Sequence, residues 1–206
     1  MSPTNSSSLF RITICTIALG FGSPLAANED ALYDQVPPED AVFIRHFAEG
    51  TAAQDVGPLP AEIVTRIAKG ASVYSSLSAG EFSFSAPDRY YAIVADGAGK
   101  LHLVPEPERA DRSKVHVILV NGTDAEVRVT APDHGLEVVG PTAPLSAASR
   151  AVNPIDVVLA VETPEVDAVL ETLDLRLRRG QNVTILVRSN GVDVIEDAYG
   201  PVISKD

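Results

Sequence analysis

Apolar and polar side chains alternate along this chain in short runs, the two-residue period of β-strands. Residues 42–47, VFIRHF, put Phe43, Arg45 and Phe47 on one strand face and Val42, Ile44 and His46 on the other. Pro37 and Pro38 fix φ and keep the preceding residues out of the helical region, so the approach past Tyr33 is extended. The same alternation predicts strands over 81–85, with Phe82 and Phe84 inward, over 90–95 and over 100–104, with Asp96-Gly97 as a hairpin turn. Residues 61–69, AEIVTRIAK, fit both periods. Pro60 and Gly70 frame a short helix, whereas Ile63, Thr65 and Ile67 line a strand face; the β-rich surroundings favour the strand.

The second half continues in this pattern. Strands are expected over 115–121 and 126–130, paired across an Asn121-Gly122 turn. Others fall over 135–140, within 150–162, and over 173–177, 181–189 and 192–195, the last two joined at Asn190-Gly191. Between the halves lies PEPERADRSK (105–114), with two prolines, five charged residues before Ser113 and no large apolar side chain. That composition reads as a stiff, solvated linker. A weak internal echo sets LSAGEFSFS…YYAIVADG beside LRRGQNVTILVRSNG. The expected fold is therefore all-β: two small β-sandwich modules, 28–104 and 115–206, joined by the short charged, proline-containing linker 105–114.

Composition sharpens this reading. The chain has 206 residues, 45% of them hydrophobic but only 5% aromatic, and no Trp, so its core must be built of Val, Ile, Leu and Ala. Residues 1–27 read as a secretory signal: Arg11, a ten-residue apolar run over 12–21 that is too short to span a bilayer, then small residues up to Ala27. A signal retained as a membrane anchor is the alternative. The single cysteine, Cys15, lies in that run and would leave with it; Ile14 before it does not suit a lipoprotein site. Net charge is −12, and removal of Arg11 with the leader makes the mature chain −13. Such a balance disfavours nucleic acid, whose phosphates demand clustered Lys and Arg.

Catalytic chemistry is thin. There is no Gly-x-Ser-x-Gly elbow and no spacing of His, Asp and Glu that frames a metal, so no catalytic residue, metal or cofactor is assigned. His46, His102 and His116 fall in strands; only His134, in a Pro-Asp-His-Gly turn, could pair with Asp133 as an acid–base couple. Asp193, Glu196 and Asp197 come nearest to a cation site, without a glycine-bearing loop. Against the acidic background stands one basic cluster, Arg176, Arg178 and Arg179. Leu175 and Leu177 should point into the core and Arg176 and Arg178 outward. Guanidinium forks suit carboxylates, so this cluster and Arg45 are the surfaces assigned to a partner or an acidic polymer. An exposed strand face that resists edge pairing explains the cluster equally. Tyr33, Tyr90 and Tyr91 either stack on sugars or pack by their rings.

Three stretches together resemble a known family: ALYDQVPPEDAVFIRHF (31–47), ASRAVNPIDVVLAV (148–161) and LRLRRGQNVTILVRSNG (175–191) are similar to AlgF, the periplasmic alginate O-acetylation protein. The resemblance runs over most of 31–198 and departs at 55–69. It implies a two-domain β-sandwich accessory protein of the bacterial periplasm. Its partners would be membrane-bound and periplasmic O-acetyltransferase components that acetylate mannuronate units of alginate. A carbohydrate-binding protein that gathers the acidic polymer is the alternative, and an acetyltransferase in its own right ranks last.

Overall fold

The computed structural model describes residues 36–84, 88–166 and 168–205. The signal segment 1–27 and Tyr33 lie outside them. Fourteen elements follow in order: β1 (Ala41–His46), α1 (Ala61–Ala68), β2 (Tyr74–Ser78), β3 (Tyr90–Ala95), β4 (Leu101–Glu106), β5 (Val115–Asn121), β6 (Val127–Ala131), β7 (Leu136–Thr142), β8 (Ser146–Val152), β9 (Asp156–Thr163), β10 (Ala168–Arg176), β11 (Asn182–Arg188), β12 (Gly191–Glu196) and β13 (Tyr199–Val202). Among the described residues the fold is all-β apart from helix α1 and a short 3-10 turn at Pro132–His134, with its sheets in two domains. The first holds a five-stranded sheet in the order β13-β2-β1-β3-β4; the second is a sandwich of two four-stranded sheets, β12-β11-β5-β8 and β10-β9-β6-β7.

These sheets stack through three cores. Ile63, Val64 and Ile67 of α1 cover one face of the first sheet, against Val42, Ile44, Leu77 and Ile93. The opposite face, through Phe47, Ala92, Val94 and Val104, meets Ile118, Val120 and Leu186 of the sandwich. Within the sandwich, Val115, Val117, Leu119 and Ile185 face Val129, Val139, Leu159 and Val161. Strand β5 is therefore covered on both sides, and its sequence, VHVILVN, is apolar almost throughout. Each such Val, Leu or Ile contributes about 1.5–3 kcal/mol by leaving water.

The hairpin β3–β4 forms at Asp96, whose carboxylate accepts the N–H groups of Ala98 and Lys100, both at 2.9 Å. Strand β1 runs parallel to β3, and β5 runs parallel to β11, which continues into the β11–β12 hairpin at Asn190-Gly191. A parallel strand beside a hairpin is thus the structural counterpart of the sequence echo.

Four local expectations are corrected. Residues 61–68 are a helix: Ile63, Val64 and Ile67 fall on one helical face and are buried there, and Asp55 accepts the N–H of Ala61 at 2.8 Å. Packing of that face outweighs the strand preference of β-branched residues. Residues 81–83 are a turn, with Ser83 at φ 59°, that folds Phe82 back into the core beside α1; the strand is the preceding YSSLS of β2. Strands β5 and β6 do not pair across Asn121-Gly122 but enter different sheets. Buried Asn121 holds that crossing by donating to the carbonyls of Ala125 (2.8 Å) and Thr142 (3.0 Å). Finally, the expected linker is not all solvated. β4 runs on through Pro105 to Glu106, which is 3% exposed. From the far end of the chain, β13 returns to pair with β2 in the first sheet.

Candidate functional site

Strand alternation turns Arg45 toward the sandwich, on the face of Phe43 and Phe47, and there it is fully buried. Its Nε donates to Glu106 Oε1 at 2.9 Å and its Nη2 to Glu106 Oε2 at 2.6 Å. Nη2 also donates to Thr184 Oγ1 at 2.6 Å, and Nη1 to Asp197 Oδ1 at 3.1 Å. The guanidinium lies 4.3 Å from the ring centroid of Tyr74 and 4.8 Å from that of Phe47. Glu106 further accepts from Tyr74 Oη at 2.8 Å and Arg109 Nη2 at 2.7 Å. Arg109 also donates to Tyr74 Oη, to Asp197 Oδ2 at 3.2 Å and to the carbonyl of Pro107 at 2.6 Å. Two guanidiniums therefore face two carboxylates in a neutral buried cluster. Burial opposes ionisation of Glu106, yet Arg45 and Arg109 hold its carboxyl below the usual carboxylate range. At Asp197 burial wins over the same two arginines, and its carboxyl is pushed up. Burial, then the Glu106 charge, also raises the Tyr74 hydroxyl. The assignment of Arg45 to a contact surface is corrected accordingly: a side chain without solvent exposure meets no partner directly.

Arg109 leads from this cluster to the surface. It lines a concavity of about 250 Å³ together with Arg112, Lys114, His116, Gly180 and Asn182, and with the carboxylate of Asp111. Across Gly180 lies a second concavity, of about 500 Å³, formed by Arg176, Arg178, Arg179, Gln181 and Glu196. The turn between β10 and β11 needs glycine: Gly180 sits at φ 82°, and Gln181 N–H donates to the Arg178 carbonyl at 3.1 Å. Leu177 is buried and Leu175 packs on the sandwich core, so Arg176 and Arg178 point outward, as the alternation predicts. Arg176 pairs in the open with Asp156 at 3.5 Å. Arg178 and Arg179 are exposed, and among the described residues their guanidiniums have no partner. Arg188 is drawn off to Asp193 and Arg150 to the carbonyl of Glu137, so neither joins the cluster.

The other candidates disperse. His102 binds Asp96 at 2.9 Å, His116 the carbonyl of Asp111 at 3.1 Å, and His46 is buried with Nε2 unpartnered. His134 lines an apolar cavity of about 260 Å³ in the sandwich together with Leu136, Ile155, Leu159 and Leu177. Asp193, Glu196 and Asp197 turn to three different partners: Arg188, Gln181, and the pair Arg45 and Arg109. Among the described residues no group of three His, Cys, Asp or Glu side chains could hold a metal. Tyr90 stacks on Phe43 at 5.3 Å and Tyr91 tilts against Phe84 at 5.2 Å, so both pack by their rings. Sequence reasoning does not single out exposed Tyr199, stacked on Tyr74, or Glu106, Arg109 and Thr184, and it considers Asp197 only as a cation ligand, not as the partner of Arg45 and Arg109. Glu106 and Arg109 lie inside a run of charges in which nothing local separates buried from solvated members.

The fold and site define a class: an acidic, two-domain all-β protein that carries a cationic turn. A family model described as "Alginate O-acetyl transferase AlgF" matches residues 16–184, and the chain belongs to the AlgF family. It is therefore a member of a family of alginate biosynthesis and O-acetylation. The alginate biosynthesis protein AlgF of Pseudomonas aeruginosa is 27% identical over 205 residues, covering 93% of each chain. That of Pseudomonas syringae pv. tomato is 26% identical over 192 residues, covering 86% of this chain and 85% of its own. Two solved structures are similar. The C-terminal domain of P. aeruginosa AlgF matches at TM-score 0.33 and 22% identity, over 41% of this chain and 97% of its own. The N-terminal domain matches at TM-score 0.34 and 15% identity, over 43% and 99%. Among the described residues no helix is long and apolar enough to cross a membrane.

Proposed function

We propose that this chain is a periplasmic, non-catalytic accessory protein of the alginate O-acetylation machinery. It holds membrane-bound and periplasmic acetyltransferase components together while they acetylate mannuronate residues. One observation carries this reading: among the described residues no histidine is hydrogen-bonded to a hydroxyl that could act as a nucleophile. Glu106 and Asp197 are neutralised by two buried arginines, His102 is tied to Asp96 in a hairpin turn, His116 is bonded to the Asp111 carbonyl, and the buried Nε2 of His46 has no hydrogen-bond partner. An acyl-transfer centre needs a nucleophile within hydrogen-bond reach of a base. The export signal expected over residues 1–27 and membership of the AlgF family support this setting. The test is reconstitution. Acetyl transfer to mannuronate oligomers by the partner components should rise when the chain is added, and the chain alone should neither transfer acetyl groups nor hydrolyse acetyl esters. Transfer or hydrolysis by the purified chain alone sinks the proposal.

A second reading, a module that binds the acidic polysaccharide itself, draws on the unpaired forks of Arg178 and Arg179, which suit uronate carboxylates. Retention on an alginate column that weakens with salt would favour it.

A further inference from the structure

We infer that the two concavities flanking Gly180 form the docking surface for an acidic segment of a protein partner, an inference that rests on the accessory reading above. The surface is a local inversion of charge. Arg112 and Lys114 stand on one side of the turn and Arg178 and Arg179 on the other, on a chain of net charge −12. The lining carboxylates are fewer and partly engaged: Asp111 accepts from Ser113 N–H at 2.9 Å and Glu196 from Gln181 at 3.2 Å. Lys114 donates to the neutral side chain of Asn153 at 2.6 Å and forms no ion pair, although the Asp111 carboxylate lies within its field. The guanidiniums of Arg112, Arg178 and Arg179 have no partner among the described residues. Cations left unpaired in this way are available to carboxylates as charge-assisted, forked hydrogen bonds.

The occupant follows from what the surface has and lacks. No Phe, Tyr or Trp lines either concavity, so there is no platform on which sugar rings could stack. The acidic body repels a long polymer that carries a charge on every residue. A short segment bearing a few carboxylates feels mainly the local field, because salt screens charges beyond about 8–10 Å. Two small concavities separated by a single turn also match a few side chains better than an extended chain. Arg109 ties the surface to the interior. It is held by Glu106, Asp197 and Tyr74 at the floor of the first concavity, so the buried cluster sets the shape of that floor.

The test measures binding of the purified chain, by biolayer interferometry, to each purified protein component of the alginate O-acetylation machinery in turn, at low and at physiological ionic strength. A polymannuronate column is run in parallel. One component should bind, with an affinity that falls as salt rises. R178E/R179E should weaken it by about tenfold or more, R112E/K114E should weaken it as well, and K100E, in the distant β3–β4 turn, should not. All three variants change exposed or half-exposed side chains, and their thermal transitions check that they fold. If a component binds but neither variant weakens it, this inference fails and the accessory reading stands. If no component binds at all, both fail. If R178E/R179E abolishes retention on the polymannuronate column and leaves component binding unchanged, the surface belongs to the polymer and the inference is overturned.

Discussion

Arg45 and Glu106 form a forked ion pair with both side chains at 0% exposure, joining the penultimate residue of β1 to the last residue of β4. Breaking it from one side leaves two buried guanidiniums facing the single carboxylate of Asp197. Glu106→Gln should therefore cost about 3–5 kcal/mol of unfolding free energy in a urea titration. The double variant Arg45→Met/Glu106→Leu keeps the remaining Arg109–Asp197 pair balanced and should lose markedly less than the sum of the two single changes. Additive losses would mean that the pair is not coupled.

Acid should weaken the protein in stages. His46 is depressed below its ordinary 6.5, chiefly by burial, with Glu49 opposing the shift. The unfolded chain thus takes up that proton first, and stability falls as the pH drops below 6.5 until the buried imidazole itself titrates. Glu106 acts further down. Its depressed value keeps its contribution intact above the ordinary 4.5, and that contribution is lost as pH falls through the folded value. Asp197, raised, works in the opposite sense and takes its proton in the folded state first. Melting curves between about pH 8 and about pH 5 should slope downward for the native chain and be flatter for His46→Leu. Equal slopes would locate the titrating group elsewhere.

The return of β13 to the first sheet depends on aromatic packing. Tyr199 stacks on Tyr74 at 5.6 Å and meets Phe43 edge-on at 5.4 Å, although 55% of its surface is open. Tyr199→Ala should cost about 1–2 kcal/mol, the scale of one or two aromatic contacts. It should also alter the near-ultraviolet circular dichroism of the tyrosines. An unchanged midpoint and spectrum would show that the neighbouring backbone pairing suffices.

Gly180→Ala tests the turn itself. A Cβ there meets nothing within 4 Å, so any penalty comes from the backbone at φ 82° alone. About 1–2 kcal/mol is expected in thermal unfolding. No loss would mean that the turn relaxes into another shape.

The sequence by itself determined most of the strands. Alternation and the Asp-Gly and Asn-Gly turns located β1, β3, β4, β11 and β12 to within a few residues, because a side chain's face on a strand depends only on its neighbours. The same rule placed Arg176 and Arg178 outward and Leu177 inward. Tertiary structure decided the rest. Ile63, Val64 and Ile67 satisfy both periods locally, and only a sheet face waiting to be covered selects the helix. Asn121-Gly122 looks like a hairpin until β5 and β6 are each claimed by another sheet. Arg45 looks like a surface residue until Glu106, 61 positions away, and Asp197, 152 positions away, arrive to neutralise it. A local pattern can say which face a charge is on. Whether that face is wet depends on which distant residues pack against it.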